Sequence, residues 1–163
     1  MRKTLTVALA GLLLSMVAAG QKLELRFDSL AAKAADKSEV DLDGGALSVA
    51  QRAGKLGHGM PATVTGVYVR NYEFSNPDEY SEKDLDHLRR QMGEGSGWTR
   101  IIHAKERHES TEIFVHRQGD QIRGLLILAC EAKEISVVYI TGILTPDNVN
   151  ELVKSNSQGN LVK

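Results

Sequence analysis

Apolar residues recur at helical spacing in four parts of the chain, each close to a residue that is suited to cap a helix. In the third part, Ser81 is followed by Asp84 at the spacing of a capping box. In the fourth part, Thr145 precedes Pro146, a residue favoured at the first position of a helix. The predicted helices are 27–35 with Asp28 or Ser29 as the cap, 46–53 after Asp43, 81–92, and 146–153.

Five further segments have the alternating or continuous apolar pattern of strands. The last four follow one another with only short turns between them, so they predict an antiparallel meander. The first strand has two apolar halves that are out of phase, and a bulge near Arg70 and Asn71 would bring both halves to one face. The predicted strands are 63–74, 98–107, 111–116, 122–131 and 135–144.

The order of these elements predicts the fold class. Two helices, a strand, a helix, four strands and a helix are typical of an α+β protein. We expect a mainly antiparallel sheet of about five strands with the helices packed on one face. The sequence predicts a single domain at 21–154, followed by a polar tail at 155–163.

The first 20 residues have the pattern of a secretory signal peptide. Arg2 and Lys3 give a positive start, the run 5–19 carries no charge, and small residues precede Gln21. The run is shorter than the roughly 20 residues that span a bilayer, so an uncleaved membrane anchor is the less favoured alternative. Gln21 stands where a lipoprotein needs a cysteine. We expect an exported protein, periplasmic or secreted, that is not a lipoprotein and has no membrane span after removal of the signal.

Charge and cysteine content narrow the classes of function. Loss of Arg2 and Lys3 with the signal leaves 18 basic and 21 acidic side chains, a net charge of −3. Nucleic-acid binding needs a basic field, so no nucleic-acid partner is expected. Cys130 is the only cysteine, which excludes an intrachain disulfide. Its position in an apolar strand predicts a buried thiol.

Two motifs suggest ligand binding, but neither has the order or spacing of residues that such a site needs. Residues 93–97 are rich in glycine, but they follow a helix and precede a strand, the reverse of a nucleotide-binding loop. Asp41 and Asp43 resemble the start of a calcium loop, but Arg52 stands where that loop needs its bidentate acid. The sequence therefore predicts no catalytic residue, no cofactor site and no metal site.

One surface remains as a candidate for binding. With the turn of the first hairpin of the meander at 108–109, His103 falls opposite Phe114, and His116 lies diagonally across from His103. Ile102 then points to the core, while the other three side chains point outward. Two imidazoles are too few ligands for a tight metal site. We therefore expect His103, Phe114 and His116 to form an exposed binding surface.

Several segments, taken in their order, resemble the exported bacterial family catalogued as domain of unknown function 4252, over about 23–153. These segments are VDLDGGAL at 40–47, GVYVRNYEF at 66–74, DLDHL at 84–88, GWTRI at 97–101 and GLLILACEAKEISVVYITG at 124–142. The resemblance implies a small protein of the bacterial envelope with no assigned reaction, and it supplies no catalytic residues. Because some relatives are encoded near sigma-factor systems, it also implies an envelope-stress role as one candidate.

Functions from different classes fit this sequence. The favoured one is a non-enzymatic interaction or ligand-binding module of the bacterial envelope, whose partner is an unknown protein or a small ligand. The alternative is a small hydrolase or metal-dependent enzyme without a recognisable motif, and a structural part of an envelope complex is a third. No nucleophile, base and orienting group stand at an interpretable spacing, which favours the binding module.

Overall fold

The computed structural model describes residues 22–56 and 60–157. The predicted signal peptide at 1–20 lies outside the described residues, as do His58 and the 158–163 part of the predicted tail. Within the described residues, no helix has the length and apolar character needed to cross a membrane.

In the part of the chain that the structure describes, six strands form one sheet in which every neighbouring pair is antiparallel. They are β1 (Asp36–Asp43), β2 (Val64–Glu73), β3 (Trp98–Glu106), β4 (Glu109–Gln118), β5 (Gln121–Cys130) and β6 (Glu134–Leu144). Their order across the sheet is β1-β2-β6-β5-β4-β3. The sequence prediction lacks β1, in which Val40 and Leu42 are the only apolar residues. An edge strand can be this polar because most of its side chains stay exposed.

The last four strands form the predicted antiparallel meander, which is confirmed. The first hairpin of the meander differs from the prediction in its turn, which is 107–108 instead of 108–109, with Glu106 opposite Glu109. Arg107 has a φ of 37°, in the left-handed region that two-residue hairpin turns use. The shift of the turn changes which side chains of β3 and β4 face each other.

The sheet buries apolar side chains on both of its faces. β5 shows this most clearly, because Leu126 and Leu128 point to one face while Leu125 and Ile127 point to the other, and all four are at most 2% exposed. One face, the aromatic face, has a core that includes Tyr68, Tyr72, Phe114, Leu126 and Tyr139. The other face, the aliphatic face, has a core that includes Val67, Leu125, Ile127, Val138 and Ile140.

Among the described residues, four helices pack against the sheet. They are α1 (Asp28–Lys33), α2 (Gly44–Arg52), α3 (Asp86–Gln91), which follows a 3₁₀ turn at Glu82–Leu85, and α4 (Pro146–Ser157). Leu30 of α1 and Leu88 of α3 are buried in the core of the aromatic face, whereas Leu47 of α2 and Leu152 of α4 are buried on the aliphatic face. The helices therefore cover both faces, which corrects the predicted arrangement on one face. Strands that are apolar on both sides need a cover on each side.

Two of the predicted helix starts are confirmed. Ser81 and Asp84 make both hydrogen bonds of a capping box, and Lys33 donates to the Asp84 carboxylate at 2.9 and 3.0 Å. Burial alone would raise the pKa of Asp84, but the hydrogen bonds from Lys33 and Ser81 hold it below its ordinary value. At α4, the Thr145 hydroxyl accepts the backbone N–H of Asn148 at 3.2 Å.

Other predictions about where the helices begin and end are wrong. Asp43 precedes α2 but makes no capping bond, because its carboxylate accepts the hydroxyl of Tyr68. Neither predicted residue caps α1, which begins after Phe27 without a side-chain cap. Residues 155–157 of the predicted tail belong to α4.

The bulge expected near Arg70 and Asn71 does not occur, because the register of β2 is continuous over 66–73. The register shifts instead between Val64 and Gly66. A bulge is unnecessary because valines of β2 are buried on one face of the sheet and tyrosines on the other.

Candidate functional site

The structure separates the three side chains that the sequence predicts as one binding surface. His103 of β3 pairs with Glu112, and Phe114 of β4 pairs with Arg100. His116 lies further along β4 and lines a cavity at the end of the sheet. The three residues therefore lie in three different environments.

Phe114 belongs to the core of the aromatic face, so its expected exposure is wrong. Its side chain is 8% exposed and packs in the same cluster as Leu126. Ile113 and Val115 are buried on the aliphatic face as predicted, but the opposite face, to which Phe114 points, is also covered, by α1 and α3. Ile102 shows the opposite error: it is predicted in the core and is 42% exposed, because β3 is the edge strand.

His103 lies beside a buried carboxylate. The Glu112 side chain is 7% exposed, and its Oε1 accepts a hydrogen bond from Arg100 Nη1 at 2.8 Å and lies 3.9 Å from His103 Nε2. Arg89 Nη2 lies 3.4 Å from the other Glu112 oxygen, and Arg89 also pairs with Glu82. A buried charge is tolerated when it is paired and hydrogen-bonded. We therefore interpret the cluster as a structural tie between α3 and the β3–β4 hairpin.

His116 lines a cavity of about 460 Å³ at one end of the aromatic face. Its ring lies 5.1 Å from the ring of Trp98, which lies 5.9 Å from the ring of Tyr139. Tyr139 stacks on Tyr68 at 5.6 Å between centroids. We call this the tyrosine cavity; its lining also includes Lys22, Arg123, Thr63, Thr65 and Thr141.

A cross-strand row of small residues makes room for these rings. Thr141 of β6 is paired with Gly66 of β2 on one side and with Gly124 of β5 on the other. A Cβ on Gly66 would lie 2.8 Å from the Tyr68 ring, and a Cβ on Gly124 would lie 3.4 Å from the Tyr139 ring. Because glycine has no side chain, the tyrosine rings can lie against the backbone of the sheet.

Lys22 and Asp43 form a charged pair at the mouth of the tyrosine cavity. The Lys22 ammonium lies 4.0 Å from the Tyr68 ring centroid and 3.6 Å from an Asp43 carboxylate oxygen. The Tyr68 hydroxyl donates to the same oxygen at 2.9 Å. The neighbouring Tyr68 hydroxyl and Asp43 carboxylate raise the pKa of Lys22, and burial raises the pKa of Tyr68. At neutral pH, Lys22 is therefore a cation and Tyr68 a neutral donor.

The lining of the tyrosine cavity is biased toward positive charge. Arg123 of β5 is exposed and contributes a second cation. Among the described residues that line the cavity there is no aspartate or glutamate. Asp43 balances one cation from outside the lining, which leaves one unbalanced positive charge. This arrangement can attract an anion and hydrogen-bond it with hydroxyl groups.

Of the residues that line the tyrosine cavity, His116 is the only one that the sequence analysis singles out as a candidate for binding. Lys22 precedes α1, while Tyr68, Arg123 and Tyr139 come from three different strands. Their proximity depends on the strand order, which is a non-local property. The sequence contains one signal for the cavity, Gly66 and Gly124 inside predicted strands. A glycine within a strand often marks a place where another group lies close to the backbone.

Cys130 borders a smaller cavity of about 230 Å³, together with Tyr80 and Ser81. Cys130 is 6% exposed, which confirms its predicted burial. Burial raises the pKa of its thiol to about 11, so the thiol is a weak nucleophile at neutral pH. Within residues 22–56 and 60–157, no group of three or more His, Cys, Asp and Glu side chains is placed to hold a metal ion.

Comparison with known proteins gives one family. A protein-family model described as "Domain of unknown function (DUF4252)" matches residues 32–152. The matched range contains the whole sheet and every lining residue of the tyrosine cavity named above except Lys22. No curated protein matches the chain. The match agrees with the family resemblance drawn from the order of the sequence segments.

Proposed function

The chain belongs to the family described as Domain of unknown function (DUF4252), and we propose that it is a non-enzymatic binding module whose ligand site is the tyrosine cavity. The observation that carries the proposal is the lining of that cavity. Cations and hydroxyl groups converge over two stacked tyrosines, and no carboxylate lies among the described lining residues.

The ligand that fits this lining is a small anion that carries hydroxyl groups, such as a sugar phosphate or a sugar acid. The cavity volume of about 460 Å³ falls within the usual range of small-molecule sites, about 300–1,000 Å³. Lys22 and Arg123 supply positive charge. The hydroxyls of Thr65 and Thr141 are hydrogen-bonded to each other, with 3.1 Å between their oxygens, so one of the two keeps a hydrogen that it can donate to a ligand oxygen.

Binding without catalysis is the better match to the chemistry of the side chains. Burial raises the pKa of both Tyr68 and Tyr139, so neither phenol is a ready base or nucleophile at neutral pH. The His116 ring lies against Trp98. A nucleophile oriented by a base, the arrangement that covalent catalysis requires, does not arise from these residues.

Trp98 makes the proposal directly testable, because it is the only tryptophan and its ring lies beside the cavity residues His116 and Tyr139. We would titrate the protein with glucose 6-phosphate, glucuronate and uncharged glucose and follow Trp98 fluorescence. We expect saturable changes with the two anions and a much weaker change with glucose. In the Arg123→Gln variant, the dissociation constant of the anions should rise about tenfold, which corresponds to about 1.4 kcal/mol.

Arg90→Gln is the matched control, because Arg90 is exposed on α3 and lies outside the cavity lining. Its affinity should equal that of the unchanged protein. The proposal fails if no anionic probe gives a saturable signal, or if both variants bind equally well. Hydrolysis of the phosphorylated probe, followed by phosphorus NMR, would favour the enzymatic alternative.

We also propose that the module works outside the cytoplasm, in the bacterial periplasm or after secretion. The support is the sequence pattern of 1–20, with its positive start and uncharged apolar run. Mass spectrometry of the exported protein should find its N-terminus near Gly20 or Gln21. A mature product that retains Met1 would contradict this part of the proposal.

A further inference from the structure

The helices cover only part of the aliphatic face. At the end of this face that is far from the tyrosine cavity lies a groove of about 620 Å³, lined by β1, β2, β4, β5, β6 and the last turn of α4. We call it the acidic groove; residues that define it are Val69, Asn71, Ile127, Ser136, Glu131 and Glu134. It is separate from the ligand site proposed above, because it lies on the other face of the sheet.

The floor of the acidic groove is made of two cross-strand rows. In the first row, Val69, Val138 and Ile127 are consecutive partners. Val138 and Ile127 are buried beneath the groove, whereas Val69 is half-buried and presents apolar surface to it, as does the half-buried Val153 of α4. In the second row, Asn71 and Ser136 are partners, and their small polar side chains leave space above the sheet. The groove therefore offers an apolar floor next to a polar one.

Acidic residues occupy the third row, at the end of the strands. Asp36, Glu73 and Glu134 are direct cross-strand neighbours. Glu131 is adjacent, since its backbone N–H donates to the Glu134 carbonyl at 2.8 Å. Like charges placed opposite each other destabilise a sheet. No lysine or arginine lies among the described residues that line the groove, so a cation from another molecule would relieve this repulsion.

Asn71 adds a second feature that points to a ligand. Its Oδ1 is buried and has no hydrogen-bond partner, and within the described part of the chain it is the only buried side-chain polar atom in that state. Buried polar atoms are almost always hydrogen-bonded. The side chain lies in the lining of the groove, so a rotation of its amide would turn the buried oxygen toward a donor that enters the groove.

We propose that the acidic groove is a docking site for a segment of a protein partner that combines lysine or arginine with apolar side chains. The cationic groups meet Glu131, Glu134 and the acids beside them. The apolar side chains pack on the half-buried Val69 and Val153. The complementarity of charge selects this occupant over an anionic ligand, and the apolar floor selects it over a purely cationic one.

The test uses the purified protein and three short fluorescent peptides: one of lysine and leucine, one of lysine and serine, and one of glutamate and leucine. We expect the lysine–leucine peptide to bind, with an affinity that falls as salt is added. The lysine–serine peptide should bind at least about tenfold more weakly, and the glutamate–leucine peptide should not bind. Fluorescence anisotropy measures all three.

Charge reversal locates the site. The double variant Glu131→Lys and Glu134→Lys should weaken lysine–leucine binding by at least about tenfold. Its control is Glu94→Lys with Glu151→Lys, which reverses two exposed acids outside the groove. If the reversed protein does not fold, the milder pair Glu131→Gln and Glu134→Gln tests the same point, with folding checked by circular dichroism.

Three results would overturn the proposal. One is equal binding by the groove variant and its control. Another is equal binding of the lysine–leucine and lysine–serine peptides, which would show that binding depends on charge alone and not on the apolar floor. The third is a dimer in sedimentation experiments that Ser136→Phe dissociates, because the occupant would then be a second copy of the chain.

Discussion

The tyrosine cavity and the acidic groove occupy opposite faces of one sheet and opposite ends of the same two strands, β2 and β6. The cavity uses the row that contains Gly66 and Thr141, whereas the groove uses the rows that contain Asn71 and Glu73. Each row has similar residues on several strands. The row of Gly66 and Thr141 holds small residues, and the row of Glu73 holds acids. The charge and shape of each region therefore follow from the register of the sheet, and no single motif determines them.

The two faces also differ in how completely they are closed around the centre of β5. On the aromatic face, Leu23 and Leu25 from the segment before α1 are buried together with Leu30 and Leu88 from the helices. On the aliphatic face, α2 and α4 leave the acidic groove open. This difference makes distinct predictions for residues that are neighbours in sequence but point to opposite faces.

The largest expected effect comes from truncating adjacent residues of β5. Leu126 is fully buried on the aromatic face, so Leu126→Ala should lower the free energy of unfolding by about 2–5 kcal/mol. Ile127 is equally buried but borders the acidic groove, so Ile127→Ala opens its vacated volume to water and should cost about 1 kcal/mol less. Urea unfolding of both variants measures the difference. An equal or larger loss for Ile127→Ala would show that both faces are closed to the same degree.

A smaller effect should appear at alkaline pH, and it should belong to the aromatic face. Burial raises the pKa of Cys130 from 9.0 to about 11 and the pKa of Tyr72 and Tyr80 from 10.0 to about 12. All three groups hold their protons more tightly in the folded state than in the unfolded state. Their contribution to stability is therefore complete below about pH 9 and is lost as the pH rises through about 11 to 12.

Unfolding experiments between neutral and strongly alkaline pH test this prediction. The free energy of unfolding should fall over that window, and the fall should be shallower in Tyr72→Phe, because phenylalanine has no proton to lose. Thr141→Val is the control, because it leaves the number of titrating groups unchanged. A loss of stability that is unchanged by Tyr72→Phe would place the alkaline sensitivity elsewhere.

The smallest expected effect is a gain in stability at the acidic end of the sheet. Glu73 lies between Asp36 and Glu134 in the register, so Glu73→Gln removes two like-charge contacts. We expect the free energy of unfolding to rise by about 0.2–1 kcal/mol at low salt. The gain should shrink at high salt because exposed charges are screened. Glu94→Gln, outside this row, should show no gain, and equal effects of the two changes would contradict the repulsive row.

Much of the fold could be predicted from the sequence because its signals are local. The capping box at Ser81, the start of α4 after Thr145 and the short turns of the meander each depend on residues close in the chain. β1 was harder to recognise because a polar edge strand has only Val40 and Leu42 to mark it. The coverage of both faces was missed because the apolar stripe of a helix does not say which face of a sheet it meets.

The candidate site could be predicted only in part. Of the three predicted residues, only His116 lines the tyrosine cavity, and its binding role stays a proposal. The exposure of Phe114 was predicted incorrectly because helices were expected on one face of the sheet only, whereas α1 and α3 cover the face to which Phe114 points. The partners of His116 come from strands that are distant in sequence and adjacent in space. Their assembly requires the strand order, which depends on packing across the whole domain.

The bulge in β3 has a consequence for how separate molecules meet. β3 is an edge of the sheet, and Ile101 and Ile102 on it are 47% and 42% exposed. A straight edge with such side chains is a template on which strands of other chains can pair and aggregate. The irregularity between Arg100 and Ile102 interrupts the even spacing of hydrogen-bonding groups that such pairing needs. An irregular edge of this kind disfavours regular pairing with strands of other molecules.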